Sequence, residues 1–138
     1  MLIADTGFFV AIANRNDPLH PSAIKLLRHL PEPLITTHPI ITETCYVLAG
    51  RNSAHLQYGF LRSIGQGFTN VFSLESSHFV RMGILMEKYR ELPMDMADAS
   101  LVVLAETLGH GRILTVDRRD FSIYRWNDRH PFDNQFPH

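Results

Sequence analysis

At 138 residues, 45% of them apolar, the chain is long enough to bury one hydrophobic core and too short for two. A net charge of −1 excludes the strongly basic body of a protein that coats nucleic acid, and a single cysteine, Cys45, excludes an internal disulfide. Met1 to Val10 hold Asp5 in a short apolar run, with neither a basic leader nor a stretch able to cross a bilayer, so a cytoplasmic protein without membrane contact is expected.

Leu2-Ile3-Ala4 reads as a strand ending in a turn at Asp5-Thr6-Gly7, and Phe8 to Ala13 as a first helix. Asn16-Asp17-Pro18 supplies a cap and a first-turn proline for a second helix, whose stripe of Ala23, Ile24, Leu26, Leu27 and Leu30 stops at Pro31. The run from Pro33 to Thr37 predicts a second strand. Pro39 opens a third helix through Ile40, Ile41, Cys45, Val47 and Leu48 to Gly50, with Cys45 expected as a buried thiol. Ser53 to Ile64 predicts a fourth helix, Asn70 to Leu74 a third strand, and Ser76 to Tyr89 a fifth helix capped by Ser76 or Ser77. Asp95 to Leu108 is apolar almost all round, the mark of a buried helix, and Gly109-His110-Gly111 ends it. Arg112 to Val116 is a fourth strand. From Asp117 the chain is polar, aromatic and irregular, and the segment after about residue 126 is read as a tail. Alternating strands and helices, without repeat or linker, predict one α/β domain over residues 1–138. Its centre is a parallel sheet of four or five strands with helices on both faces.

Parallel α/β sheets bind ligands outside the carboxyl ends of their strands. Asp5 and Asp117 each follow an apolar strand and so reach the same edge of the molecule. Glu43 has Ile40, Tyr46 and Val47 at helical spacing and no lysine or arginine within a turn, so a carboxylate on that apolar stripe needs a cation or a hydrogen-bond donor. Asp95 and Asp98 open the buried sixth helix. One carboxylate suffices as its cap, and Asp95 suits that task, which leaves Asp98 to point into the strand-end cleft. Four converging carboxylates, Asp5, Glu43, Asp98 and Asp117, would repel one another, and a hard divalent ion, Mg²⁺ or Mn²⁺, removes that repulsion. Zinc is disfavoured because the eight histidines lack ligand spacing; His38 and His110 read as loop residues. Arg118 and Arg119, directly after Asp117, are placed to hold phosphates, and five of the eleven arginines fall in the last quarter of the chain, where they read equally as solvated surface charge.

Four segments in this order, Ile3-Ala4-Asp5-Thr6-Gly7, Thr42-Glu43, Met94-Asp95-Met96-Ala97-Asp98-Ala99-Ser100-Leu101 and Leu114-Thr115-Val116-Asp117-Arg118-Arg119-Asp120-Phe121, resemble those of PIN-domain ribonucleases of the VapC toxin type. The resemblance covers most of the chain up to Trp126. It implies a PIN-like fold and a Mg²⁺- or Mn²⁺-dependent endoribonuclease that leaves a 5′ phosphate and a 3′ hydroxyl. Asp5, Glu43, Asp98 and Asp117 would be the catalytic and metal-binding carboxylates, with Thr115 supporting the cluster and Asp120 competing with Asp117 as the fourth ligand. The resemblance further implies a cognate antitoxin and a homodimer. Asp5-Thr6-Gly7 also matches the aspartic-protease triplet, but that fold is all-β, whereas helix patterns follow here at once. The rival to an enzyme is a catalytically silent PIN-like module that binds RNA or protein; the four intact carboxylates argue against it.

Overall fold

The computed structural model describes residues 1–50 and 53–137; Arg51, Asn52 and the last residue of the expected tail, His138, lie outside the described residues. In chain order the elements are β1 (Leu2–Ala4), α1 (Thr6–Ala13), α2 (His20–Leu27), β2 (Leu34–Thr37), α3 (His38–Ala49), α4 (Ala54–Gly65), β3 (Asn70–Phe72), α5 (Ser76–Lys88), α6 (Met96–Leu108), β4 (Arg112–Leu114), α7 (Arg118–Ile123), β5 (Arg125–Trp126), β6 (His130–Pro131) and β7 (Asp133–Asn134).

Five strands form one parallel sheet in the order β3-β2-β1-β4-β7. Ile3 in the central strand lies opposite Ile35 of β2 on one side and Ile113 of β4 on the other. Every residue of β1 and β2 is buried, as expected of strands covered on both faces, which is why neither shows alternation of apolar and polar residues. The path β1 to β2 to β3 steps one way, and the return from β3 to β4 passes back beyond β1. Right-handed crossovers then place α1 to α4 on one face and α5 and α6 on the other. The chain reverses its winding between β1 and β4, and that reversal opens a crevice outside their carboxyl ends. Asp5 leaves β1 there, and Thr115 to Asp117 leave β4.

Helix α6 is the internal wall. Ala97, Ala99 and the run from Ser100 to Ala105 are all buried, and Gly109 ends the helix at φ 78°, a left-handed conformation that glycine adopts without strain. The first turn of α1 packs just as closely on the exit of β4, because a Cβ at Gly7 would overlap Val116 Cγ2. Among the described residues no helix is long and apolar enough to cross a membrane.

Several boundaries differ from the sequence expectation. No turn separates β1 from α1: the Asp5 carboxylate accepts the Thr6 N–H at 2.7 Å, so the supposed turn is the helix cap itself. Asn16-Asp17-Pro18 does not begin α2. Asp17 Oδ1 instead accepts the Leu19 N–H at 2.9 Å and turns the chain, α2 starts at His20 with Pro21 in its first turn, and Leu30 and Pro31 lie beyond its end. The N-cap of α5 is Glu75, not a serine, and its N–H donates to His78 Nδ1 at 2.9 Å. Strands β3 and β4 are shorter than expected. His38 is the first residue of α3 rather than a loop residue, and Cys45 is half-buried rather than buried.

The largest correction concerns the end of the chain. The segment after Asp117, expected to be irregular, forms α7, the β5–β6 hairpin and β7, which pairs with β4 through Arg112 to Asp133 and Ile113 to Asn134. The cause is aromatic burial: Phe121, Tyr124 and Phe136 all enter the core. Asn127 and Asp128, both at positive φ, make the hairpin turn, a conformation that short polar side chains tolerate. The turn is tied to α5 and α6: Asn127 N–H donates to Glu106 Oε2 at 2.7 Å, while Arg81 bridges Glu106 and Asp128 at 2.8 and 3.0 Å.

A candidate metal centre at the strand ends

Asp5 is delivered by the buried strand β1 and is itself only 6% exposed. One carboxylate oxygen caps α1 through the Thr6 N–H, and the other accepts the Thr115 hydroxyl at 2.7 Å. Burial raises the carboxyl to about 6, against the lowering pull of those two hydrogen bonds. The Thr115 hydroxyl also accepts the Asp117 N–H at 3.0 Å, so a single buried oxygen joins the exits of β1 and β4. Asn134 on β7 fixes Thr115 in turn, its side chain accepting the Thr115 N–H at 3.2 Å and donating to the Thr115 carbonyl at 3.0 Å.

Asp117 is the N-cap of α7 and accepts the Asp120 N–H at 3.0 Å. Asp95 is the N-cap of α6, as expected, and accepts the Asp98 N–H at 2.8 Å. Asp98, half-buried, accepts the Tyr124 hydroxyl at Oδ2 at 2.7 Å. Burial raises its carboxyl to about 8, with the charges of Asp5, Asp95 and Asp117 adding to the effect and the Tyr124 hydrogen bond opposing it. The Asp120 carboxyl is likewise raised, first by burial and then by Asp117.

Glu43 stands at the edge of its stripe rather than within it, because Ile40 is buried while Tyr46 is 81% exposed. Burial, then the charges of Asp95 and Asp5, raise it to about 7. The Thr6 hydroxyl is buried close enough to Glu43 to oppose that rise, though no described residue lies at full hydrogen-bond geometry to it.

One oxygen each from Asp98, Asp117 and Asp120 lies within 4.8 Å of the others, a spacing at which a single cation could touch all three. Asp5 and Glu43 lie outside this group; the charge of Asp5 acts on both Asp98 and Glu43. Among the described residues none of Asp5, Glu43, Asp95, Asp98, Asp117 and Asp120 is ion-paired with lysine or arginine. An oxygen-only donor set, crowded, partly desolvated and without a protein cation, fits a hard divalent ion. Arg118 and Arg119 are exposed on α7; the charge of Arg119 reaches Asp120, whereas Arg118 lines a separate hollow with Phe121 and Phe132.

An open cleft of about 860 Å³ runs from Glu43 and Asp95 along an apolar wall that includes Tyr46, Phe79 and Met96. Two residues of the site were not foreseen from the sequence, Tyr124 and Asn134. The signal for Tyr124 was a tyrosine in a segment rich in aromatics; for Asn134 there was none, because its partners lie 19 residues away.

No family model matches the chain. The chain is 26% identical over 124 residues to Ribonuclease VapC26 of Mycobacterium tuberculosis (strain ATCC 25618 / H37Rv), a match covering 90% of this chain and 92% of that relative. Its fold matches the crystal structure of Mycobacterium tuberculosis VapC20, a sarcin–ricin loop cleaving toxin, with a TM-score of 0.78 over 86% of this chain and 92% of that one, at 18% identity. The chain is thus similar in sequence to Ribonuclease VapC26 along nearly the full length of both, and it shares the fold of VapC20.

Proposed function

We propose that the protein is an endoribonuclease, the toxin of a toxin–antitoxin pair, that hydrolyses RNA with Mg²⁺ or Mn²⁺ held among its carboxylates. The observation that carries this reading is the approach of Asp98, Asp117 and Asp120 to within 4.8 Å beside the buried Asp5, with no ion pair among the described residues to neutralise them. The name of the relative, Ribonuclease VapC26, supports the same activity.

In this reading Asp98, Asp117 and Asp120 hold the ion, and Asp5 and Glu43 border it. Asp120 takes its place beside Asp117 rather than instead of it. The bound ion would polarise the scissile phosphate and lower the pKa of an attacking water. The chain's own part is to keep the oxygens fixed. Thr115 holds Asp5 and the Asp117 backbone in one register, and Asn134 prevents Thr115 from moving. No side-chain nucleophile is required. Arg118 and Arg119 hold flanking phosphates of the RNA, which a cluster of bare carboxylates would otherwise repel. An antitoxin and a homodimer belong to the same reading, and the apolar cleft beside Glu43 offers an exposed surface for a protein partner.

The test is to replace Asp98 with Asn and incubate both proteins with a panel of transfer and messenger RNAs in Mg²⁺ and in Mn²⁺. The wild-type protein should cut, leaving 5′ phosphate and 3′ hydroxyl ends, and the folded variant should not. Tight RNA binding with no turnover in either protein would favour the silent binding module instead.

A further inference from the structure

Tyr124 is fully buried at the end of α7, and among the described residues its hydroxyl makes one hydrogen bond, to Asp98 Oδ2 at 2.7 Å. Its ring meets Phe121 edge-on, with centroids 5.0 Å apart, and Tyr89 likewise at 5.1 Å. A phenylalanine would keep both ring contacts, so packing alone does not call for the hydroxyl.

The position of that hydroxyl is set by structure outside the carboxylate cluster. The next residue, Arg125, donates its N–H to Tyr89 Oη at 3.0 Å. Two residues further on, the hairpin turn is anchored to α5 and α6 through Glu106, Arg81, Asp128 and Lys88. The C-terminal hairpin thus clamps the chain on both sides of Tyr89, and the clamp ends in a donor aimed at one oxygen of Asp98. Asp98 Oδ1 accepts no hydrogen bond from the described residues, so Tyr124 constrains a carboxylate that would otherwise be free to rotate about χ2.

We propose that Tyr124 is a positioning residue, holding the Asp98 carboxylate in the orientation in which it converges with Asp117 and Asp120 on a divalent ion. The inference rests on reading that trio as an ion site. Partners of this kind, which orient a ligand without touching the metal, change metal affinity by roughly 10–100-fold when removed.

The experiment measures Mn²⁺ binding directly, from the electron paramagnetic resonance signal of free Mn²⁺, for the wild-type protein, Tyr124→Phe and Tyr89→Phe. Tyr89→Phe removes the acceptor of the Arg125 N–H, one anchor of the clamp, but leaves the donor to Asp98 in place. Tyr124→Phe should bind Mn²⁺ about tenfold more weakly while keeping the wild-type circular dichroism spectrum, and its RNA cleavage should recover when Mn²⁺ is raised by the same factor. Tyr89→Phe should lose clearly less affinity, about threefold or less. The proposal is overturned if Tyr124→Phe binds within twofold or more tightly, or if the two variants lose affinity equally, since the hydroxyl would then act only through packing. A wild-type protein that takes up no Mn²⁺ would overturn the ion-site reading itself, and the proposal with it.

Discussion

Replacing Asp5 with Asn should make the metal-free protein less sensitive to pH, and the structure sets the size of the effect. Asp5 is 6% exposed and its carboxyl is raised to about 6 by burial. Between the ordinary aspartate range near 4 and that value, the folded protein holds a proton that the unfolded chain has released. Stability therefore falls as pH rises through this window and stays low above it. Linkage for this one group gives a loss of roughly 1.5 kcal/mol between pH 5 and pH 8, out of a full penalty on the order of 3 kcal/mol. Asp98 and Glu43 act in the same direction, while His110, pushed down by burial, acts in the opposite one. The difference between wild type and Asp5→Asn reads Asp5 together with the part of the Asp98 and Glu43 shifts that its charge causes, which has the same sign. Asparagine cannot accept both the Thr6 N–H and the Thr115 hydroxyl, so the variant forfeits one hydrogen bond, a deficit of about 1 kcal/mol that does not vary with pH. Urea unfolding in EDTA at pH 5, 6, 7 and 8 reads the result. With urea slopes of about 1–3 kcal/mol/M, the midpoint of Asp5→Asn should rise relative to wild type by about 0.5–1.5 M across the series. Midpoints that move in parallel would refute a buried, desolvated Asp5.

Thr115→Val keeps the volume and removes the oxygen that joins the two strand exits. It should destabilise by about 1–3 kcal/mol in thermal unfolding, because Asp117 N–H loses its acceptor and Asp5 a donor, and it should reduce RNA cleavage in Mg²⁺. Gly7→Ala forces a methyl against Val116 where α1 crosses the exit of β4, and should cost about 1–3 kcal/mol by the same assay. Arg118→Ala and Arg119→Ala should each raise KM more than they lower kcat and reduce the salt dependence of RNA binding by about 0.7 in the log–log slope, the value for one phosphate contact on a single strand. An unchanged salt slope would leave these arginines as solvated surface charge.

The sheet and its helices were legible because buried parallel strands and a helix that is apolar all round leave strong local patterns. Asp5 could be placed because a strand end fixes position without knowledge of its neighbours. Asp98 emerged because one acidic residue suffices to cap a helix, and the structure shows Asp95 capping α6 with Asp98 half-buried behind it. The pairing of Asp117 with Asp120 was not legible, since it depends on Asp117 turning one oxygen back to cap α7, a helix whose six residues give too little periodicity to detect. Tyr124 and Asn134 act across 26 and 19 residues, on partners brought near only when the hairpin and β7 close over the sheet. No local spacing encodes such contacts.

The central claim is that carboxylates at the reversal between β1 and β4 hold a divalent ion that cleaves RNA. The most direct measurement follows cleavage of a 5′-labelled RNA by the wild-type protein in EDTA, after addition of Mg²⁺ and after addition of Mn²⁺. The account predicts no cleavage in EDTA, restoration by either ion, and no restoration in Asp98→Asn. Cleavage that persists in EDTA, or that survives in Asp98→Asn, would contradict it.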